Sequence, residues 1–363
     1  MSSITGEKIK LSVFGESHGS AIGCVVDGLP AGIKLDMQEI EREMARRAPG
    51  KDKTSTSRKE ADLPRILSGV LNGTTTGAPL AMIIENTNTR SGDYENVHLV
   101  PRPGHSDYPA FVKYGGFNDV RGGGHFSGRL TAPIVFAGAI AKQILRKHEI
   151  CIGSHILQIG NVHDDAIDRV NISPKTLEGL TYNFFPVLRK EAEQEMRDFI
   201  ETARLSGDSA GGVIECAVTG LPVGLGSNIF STVESKLSAA LFAIPAVKGV
   251  QFGAGFGFAE MLGSAANDPY EIKNGSVAFK SNNNGGVLGG MSSGAPLVFS
   301  IAVKPTPSIS KEQDSVDLAT MQNEKLVIKG RHDPCIVPRA VPVAEATAAL
   351  VVLDLIMQDG IKG

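Results

Sequence analysis

Cysteine is scarce in this chain, with four in 363 residues: Cys24, Cys151, Cys216 and Cys335. Their wide spacing allows neither a CxxC zinc pair nor a dense disulfide framework, so reduced thiols and no metal site are expected. No block of lysine and arginine occurs, and the net charge is −3, which argues against a nucleic-acid partner. The N-terminus lacks the order of a secretory signal. No run approaching the ~20 apolar residues of a membrane span stands out. A cytoplasmic protein with no membrane partner is therefore expected. There is no Gly-x-x-x-x-Gly-Lys-[Ser/Thr] phosphate loop, and Gly253-Ala-Gly-Phe-Gly257 lacks the full dinucleotide fingerprint with its downstream acid.

Glycine, by contrast, is abundant at 42 residues, which calls for many tight turns or close backbone approaches. With 42% apolar and 21% charged residues, the chain can bury a sizeable core. Arg42, Arg46, Arg47, Arg58 and Arg65 cluster early, so a mildly acidic chain carries a local basic region suited to a small anionic substrate.

The densest chemistry lies between Arg102 and Arg129. Arg102-Pro-Gly-His-Ser-Asp-Tyr108 is followed by Arg121-Gly-Gly-Gly-His-Phe-Ser-Gly-Arg129, directly before an apolar run at 132–145. Arginine forks suit phosphate and carboxylate, and histidine exchanges protons near neutral pH. Such a loop holds an anion and moves a proton; a solvated surface loop is the plain alternative.

Residues 10–14 read as a strand, Cys24 to Val26 as a second, and Asp36 with Glu39 as a helix-starting capping box. The order then recurs. At an offset of 192, Gly15-Glu-Ser-His-Gly19 falls on Gly207-Asp-Ser-Ala-Gly211, Cys24 on Cys216, and Gly28-Leu-Pro30 on Gly220-Leu-Pro222. Ser231-Thr-Val-Glu234 reads as the second capping box. Further on, Gly69-Val-Leu71 and Gly77-Ala-Pro-Leu80 match Gly286-Val-Leu288 and Gly294-Ala-Pro-Leu297. Each copy runs into a Gly/His/Arg loop and a helix with an early proline, at 133–147 and 342–358. One internally duplicated domain over 1–363 is expected, with copies near 10–147 and 203–358. The copies differ chemically: His18 becomes Ala210, and Arg46 and Arg47 become Leu241 and Phe242. Residues 188–204 read as a charged amphipathic helix, and Asn282–Asn284 with Gly285-Gly286 as a turn or a backbone cradle for a ligand.

Two motifs admit other readings. Gly15-Glu-Ser-His-Gly19 has the Gly-x-Ser-x-Gly form of a hydrolase nucleophile elbow, which joins a strand to a helix. Arg331-His-Asp-Pro-Cys335 puts cation, imidazole and carboxylate together, either as a site or as a plain helix-entry turn.

Taken together the motifs resemble the chorismate synthase family along essentially the whole chain. They include Gly15-Glu-Ser-His-Gly19 with Val26-Asp-Gly28, Arg47 through Pro49-Gly50, Ser68-Gly-Val70, Thr75-Thr-Gly77 and Arg102-Pro-Gly-His105. Lys113-Tyr-Gly115, Ala246-Val-Lys-Gly-Val250, Gly285 through Gly290, Lys304-Pro-Thr306 and Gly330-Arg-His-Asp-Pro-Cys335 continue the series. The chain departs from the family where His125-Phe-Ser-Gly-Arg-Leu-Thr131 replaces the common Arg-Ser-Ser-Ala-Arg-Glu-Thr. Ser106 stands for the usual alanine, and Lys53 for an arginine.

The resemblance implies an α+β fold, a β-α-β sandwich with an internal pseudo-two-fold. It implies a homotetrameric lyase that eliminates phosphate 1,4 from 5-enolpyruvylshikimate 3-phosphate, giving chorismate with reduced FMN and no net redox change. Catalytic roles fall to His18, which would protonate the leaving phosphate, to His105 at the flavin pyrimidine side, and to Asp333 near flavin N5. Flavin contacts fall to His125, Phe126, Ser127, Ala246, Gly289, Lys304, Pro305, Thr306, Pro307, Ser308 and Arg331. Arg42, Arg46, Arg47, Arg129 and Arg339 are the candidates for the substrate's anions. Arg47 and Lys53 match positions linked to NADP. Whether NADPH or a separate reductase supplies electrons is open. A serine hydrolase and a non-catalytic flavin- or anion-binding module are the competing readings.

Overall fold

A computed structural model describes residues 3–50, 62–86, 99–328 and 332–360. Lys53 and Arg331 lie outside the described residues. Strand Ala21–Asp27 buries Ile22, Cys24 and Val26 on alternate positions, the period-2 pattern of a strand with one face on a core. It is the middle strand of a five-stranded antiparallel sheet ordered Ile4–Thr5, Lys10–Gly15, Ala21–Asp27, Leu80–Glu85, Arg65–Ser68. A second antiparallel sheet runs Val162–His163, Cys151–Ile159, Gly212–Thr219, Leu297–Val303, Val247–Phe252. Its central strand repeats the feature, with Ile214, Cys216 and Val218 buried.

Helices fill the space between. In chain order they are α1 (Met37–Arg47), α2 (Asp107–Tyr114), α3 (Thr131–Arg146), α4 (Pro174–Leu180), α5 (Lys190–Leu205), α6 (Val233–Phe242), α7 (Gly263–Ala266) and α8 (Val337–Asp359). Helix α3 packs on the first sheet and α8 on the second, while α1 and α6 lie beside them. This is a sheet–helix–sheet arrangement, a mixed α/β fold with one large shared core. The two central helices cross closely at Gly138, where a Cβ would stand 2.3 Å from that of Ala346. Helix α4 covers the other face of the second sheet, giving a small separate core of Ile167, Leu177, Ala217 and Val298.

The four main strands of the two sheets follow one order. Lys10–Gly15, Ala21–Asp27, Leu80–Glu85 and Arg65–Ser68 correspond in turn to Cys151–Ile159, Gly212–Thr219, Leu297–Val303 and Val247–Phe252. The short hairpins Val70–Leu71/Thr74–Thr75 and Val287–Leu288/Met291–Ser292 sit at matching places. The 192-residue offset does not extend upstream of Gly207, since residues 202–205 end helix α5 instead of forming a strand. The strand needed there comes from Cys151–Ile159, so the second sheet draws on residues well before 203.

Several local expectations need adjusting. Asp36 caps α1 by accepting from the Glu39 N–H at 3.1 Å. For α6 the cap is Thr232, accepting from Ser235 N at 2.8 Å, one residue past the expected Ser231. Helix α8 begins at Val337 and carries Pro342 in its interior. It is also long and apolar enough to cross a membrane by length and composition, which the sequence pattern alone does not suggest, although most of it is buried in the fold. Its charged residues broke up the apolar run, and the fold gives them partners. Asp354, for example, accepts from the backbone N–H groups of Glu7, Lys8 and Ile9.

Glu345, at the centre of α8, belongs to a buried cluster with Glu43 and Arg46 of α1 and Lys142 of α3. Arg46 forks onto Glu345 at 2.7 and 2.9 Å and reaches Glu43 at 2.8 Å; Lys142 bonds the same two acids at 2.8 and 3.1 Å. Burial would raise the Glu43 carboxyl, but Lys142 and Arg46 outweigh it and hold the group at about 2. Two cations and two anions thus compensate one another where three helices meet.

Candidate functional site

The glycine-rich segment 121–131 is the hub. Gly122, Gly123 and Gly124 have φ values of 59°, 84° and 53°, a left-handed run that side chains resist. The Gly15–Gly19 turn docks on it, with Ser17 N donating to Gly124 O at 3.1 Å. A Cβ on Gly122 would stand 2.3 Å from His18 Nδ1 and Cε1, and one on Gly123 would stand 3.3 Å from His105 Nε2 and Cε1. Successive glycines therefore carry the two histidines that the sequence placed 87 residues apart. His18 is buried, and a strand, Ala21–Asp27, follows its turn. A nucleophile elbow needs a helix there, so the hydrolase reading fails on geometry.

His105 sits at the entry to α2. Its Nδ1 lies 2.6 Å from Asp107 Oδ1, and Asp107 also receives Arg102 Nε at 2.7 Å, Arg102 Nη2 at 2.8 Å and the Arg102 backbone N–H at 3.0 Å. Burial works to raise the Asp107 carboxyl, but the bonds from Arg102 and His105 hold it far below the usual carboxylate range.

Segment 304–308 closes on the same loop. Lys304 Nζ donates to Gly104 O, Arg102 Nη1 approaches Ser308 Oγ at 3.4 Å, and Ser209 Oγ donates to the Thr306 carbonyl at 2.7 Å. Ala246, at φ 73°, accepts from Lys304 N through its carbonyl. Thr306 Oγ1 is buried without a hydrogen-bond partner among the described residues. Phe126 faces Tyr114 with ring centroids 6.3 Å apart. Ser127 caps the short turn Gly128–Leu130. His125 turns away from this group: Nδ1 bonds Gly15 O at 2.8 Å and Nε2 lies 3.0 Å from Ser3 Oγ. Gly289 tips the hairpin beside Gly290, which packs on Thr232 and Ser227 at the entry to α6.

The arginines divide into two groups. Arg46 lies in the buried cluster, and Arg42 is partly exposed, stacked 4.4 Å over Tyr182. Arg47, Arg129 and Arg339 converge instead. Arg47 bonds Thr131 Oγ1 at 3.1 Å, Gly128 O at 3.0 Å and Asp62 Oδ2 at 2.7 Å. Arg129 bonds Asp62 Oδ1 and Asn86 Oδ1. Arg339 donates to Arg47 O at 3.0 Å and to Asp333 Oδ2 at 2.5 Å. Burial pushes the Arg47 guanidinium down, Asp62 opposes this, and Arg339 with Arg129 add to the fall, leaving it at about 10. Three guanidiniums so close together favour a bound anion.

Asp62, Asn86 and Asp107 went unassigned at the level of sequence. Only Asp107 carried a signal, an acid two residues beyond a candidate histidine. The Asn282 segment is no ligand cradle: Asp268 accepts from the N–H groups of Asn283 and Asn284, and Asn282 Oδ1 from that of Gly286.

Two histidines and a group of buried or half-buried arginines thus gather around one glycine turn, the make-up of an enzyme site. A sequence model of the family described as chorismate synthase matches residues 9–357. The chain is 47% identical over 353 residues to a chorismate synthase of Thermococcus kodakarensis, covering 97% of each. It is 48% identical over 352 residues to that of Pyrococcus abyssi, covering 96% of each. A solved structure described as a crystal structure of chorismate synthase superposes with a TM-score of 0.77 at 29% identity, over 98% of this chain and 93% of that one. The chain belongs to the chorismate synthase family.

Proposed function

We propose that this site converts 5-enolpyruvylshikimate 3-phosphate to chorismate by 1,4-elimination of phosphate, with reduced FMN and no net redox change. The observation that carries the reading is the pairing of His18 and His105 on Gly122 and Gly123, beside the Arg47, Arg129 and Arg339 cluster. Three guanidiniums suit a substrate with one phosphate and two carboxylates. His18 gives its proton to the departing phosphate oxygen as the carbon–oxygen bond breaks, and the cations offset the charge that remains.

The residues fit a flavin. The orphan Thr306 hydroxyl, the 304–308 segment folded against Gly104, and the bare backbone of Gly123 beside His105 supply polar and close-approach groups together. Phe126, Ser127, Ala246, Lys304, Pro305, Thr306, Pro307 and Ser308 would hold it. His125 would act only through Gly15 and Ser3. When bound, reduced FMN supplies the electron-rich ring that accepts the substrate hydrogen. His105 would lie on its pyrimidine side, and Asp333 would serve proton transfer near N5.

The reading extends to an internally duplicated single domain, supported by the matching strand orders, and to a cytoplasmic enzyme. It also extends to a homotetramer, supported by the wide exposure of Phe117, Phe230 and Phe256. NADPH is a candidate reductant. The test is anaerobic turnover of 5-enolpyruvylshikimate 3-phosphate with FMN, reduced either by dithionite or by NADPH alone. Chorismate formation under dithionite supports the reading, and none under either reductant overturns it.

A further inference from the structure

Asp107 has no role in the chemistry described so far, yet both oxygens of its carboxylate are heavily bonded. Its two oxygens receive four donors: Arg102 Nε and the Arg102 backbone N–H on Oδ2, Arg102 Nη2 and His105 Nδ1 on Oδ1. Arg102 is itself buried and also approaches Ser308, so the pair is anchored to the 304–308 segment. We propose that Asp107, clamped by Arg102, is a positioning residue that fixes the orientation and tautomer of His105. The proposal rests on the reading of His105 as the histidine that faces the flavin.

Proton counting fixes the tautomer. A carboxylate saturated by an arginine fork has no proton of its own to donate, so at 2.6 Å it can only accept from Nδ1. The neutral ring must then carry its proton on Nδ1. Arg102 Nη2, which can only donate, lies 3.1 Å from the same nitrogen and would favour a bare Nδ1. It already donates to Asp107 Oδ1 at 2.8 Å, and the shorter 2.6 Å contact between Nδ1 and a carboxylate that can only accept decides the assignment. The bare Nε2 is directed to Gly123, on the opposite edge of the ring. The charged groups around the loop are Arg102 and Asp107 on its own segment and Lys304, bonded to the Gly104 carbonyl. Of these only Asp107 touches His105 as an acceptor. The chain thus offers the site a ring nitrogen that takes up a proton, held in place by a bond on its far side.

The test uses the full-length protein without flavin, labelled with ¹⁵N-histidine, in mildly alkaline buffer. His105 signals are identified by their loss in His105→Gln. An unprotonated Nε2 with a protonated Nδ1 is expected in the wild type; the opposite tautomer there overturns the proposal before any variant is made. In Asp107→Asn the amide can donate as well as accept, so the two signals should invert or average. Turnover should drop by about 10²-fold, the lower part of the range for a positioned acid–base group, with substrate KM little changed. Asp107→Glu should restore both. A wild-type ¹⁵N pattern or wild-type turnover in Asp107→Asn overturns the proposal. Normal turnover in His105→Gln would instead sink the flavin-side role of His105 and leave the tautomer result standing.

Discussion

Arg339 Nη1 donates to Asp333 Oδ2 at 2.5 Å, so the first turn of α8 holds the aspartate that precedes it. The helix itself starts from Ile336 with no side-chain cap. Asp333 is therefore tied to the arginine cluster and is not the helix cap that a plain turn would make of it. Asp333→Asn keeps the shape and removes charge and basicity. Turnover is expected to fall by about 10²-fold or more with little change in substrate affinity, the pattern for a group acting in the transition state. Steady-state constants under anaerobic reducing conditions decide it: unchanged turnover makes Asp333 a structural residue.

His18→Ala should lower turnover by roughly 10²–10⁴-fold, as for a lost general acid, and leave FMN binding nearly intact. At the 192-residue offset of the proposed duplication stands Ala210, buried without an imidazole, which is the ground for expecting the fold to tolerate loss of the ring. Gly122→Ala should act in the same direction, because its Cβ would intrude 2.3 Å from the His18 ring at a φ of +59°. A Gly122→Ala enzyme with wild-type turnover would mean that the turn does not hold His18 in its working position.

Glu345→Gln should cost about 3–5 kcal/mol of stability, because Arg46 and Lys142 would be left buried with only Glu43 between them. Urea unfolding measures it. A loss below about 1 kcal/mol, the scale of an exposed pair, would show that solvent reaches the cluster. By the same logic Arg46 variants should lose stability before they lose substrate affinity.

His155 is buried between Asp164 and Glu215, with its ring nitrogens 3.0 Å from each. Burial lowers its affinity for a proton, but the two carboxylates outweigh burial and raise it above the usual 6.5. A group raised on folding stabilises fully below its unfolded value and loses that contribution as pH climbs through the folded one. Melting temperature should therefore decline on the alkaline side of pH 6.5, and His155→Gln should flatten that decline. Parallel pH profiles for the two proteins would remove His155 as the cause.

Local chemistry was legible from the chain because it depends on neighbours in sequence. Alternating apolar positions marked the strand at residues 10–14, Asp36 marked the start of α1, and the glycine triplet announced a turn that only glycine adopts readily. The repeated motifs carried the order of the elements, and the match to a family pattern carried the chemistry.

What the chain could not disclose was which charges face one another, because ion pairs are settled across elements far apart in sequence. Arg42, Arg46 and Arg47 look alike on one helix. Packing sends Arg46 to Glu345 in the core, stacks Arg42 on Tyr182, and brings Arg47 to Asp62 and Arg129. His125 reads as a ligand group until Gly15 and Ser3 are found on its two nitrogens. Asp107 reads as a loop acid until its oxygens are seen filled by Arg102 and His105. Sequence determined the elements and the kinds of side chain available, since propensity and patterning act over a few residues. Only the tertiary structure decided which of those side chains meet in the core and which gather at the glycine turn, since each charge takes its partner from wherever the fold provides one.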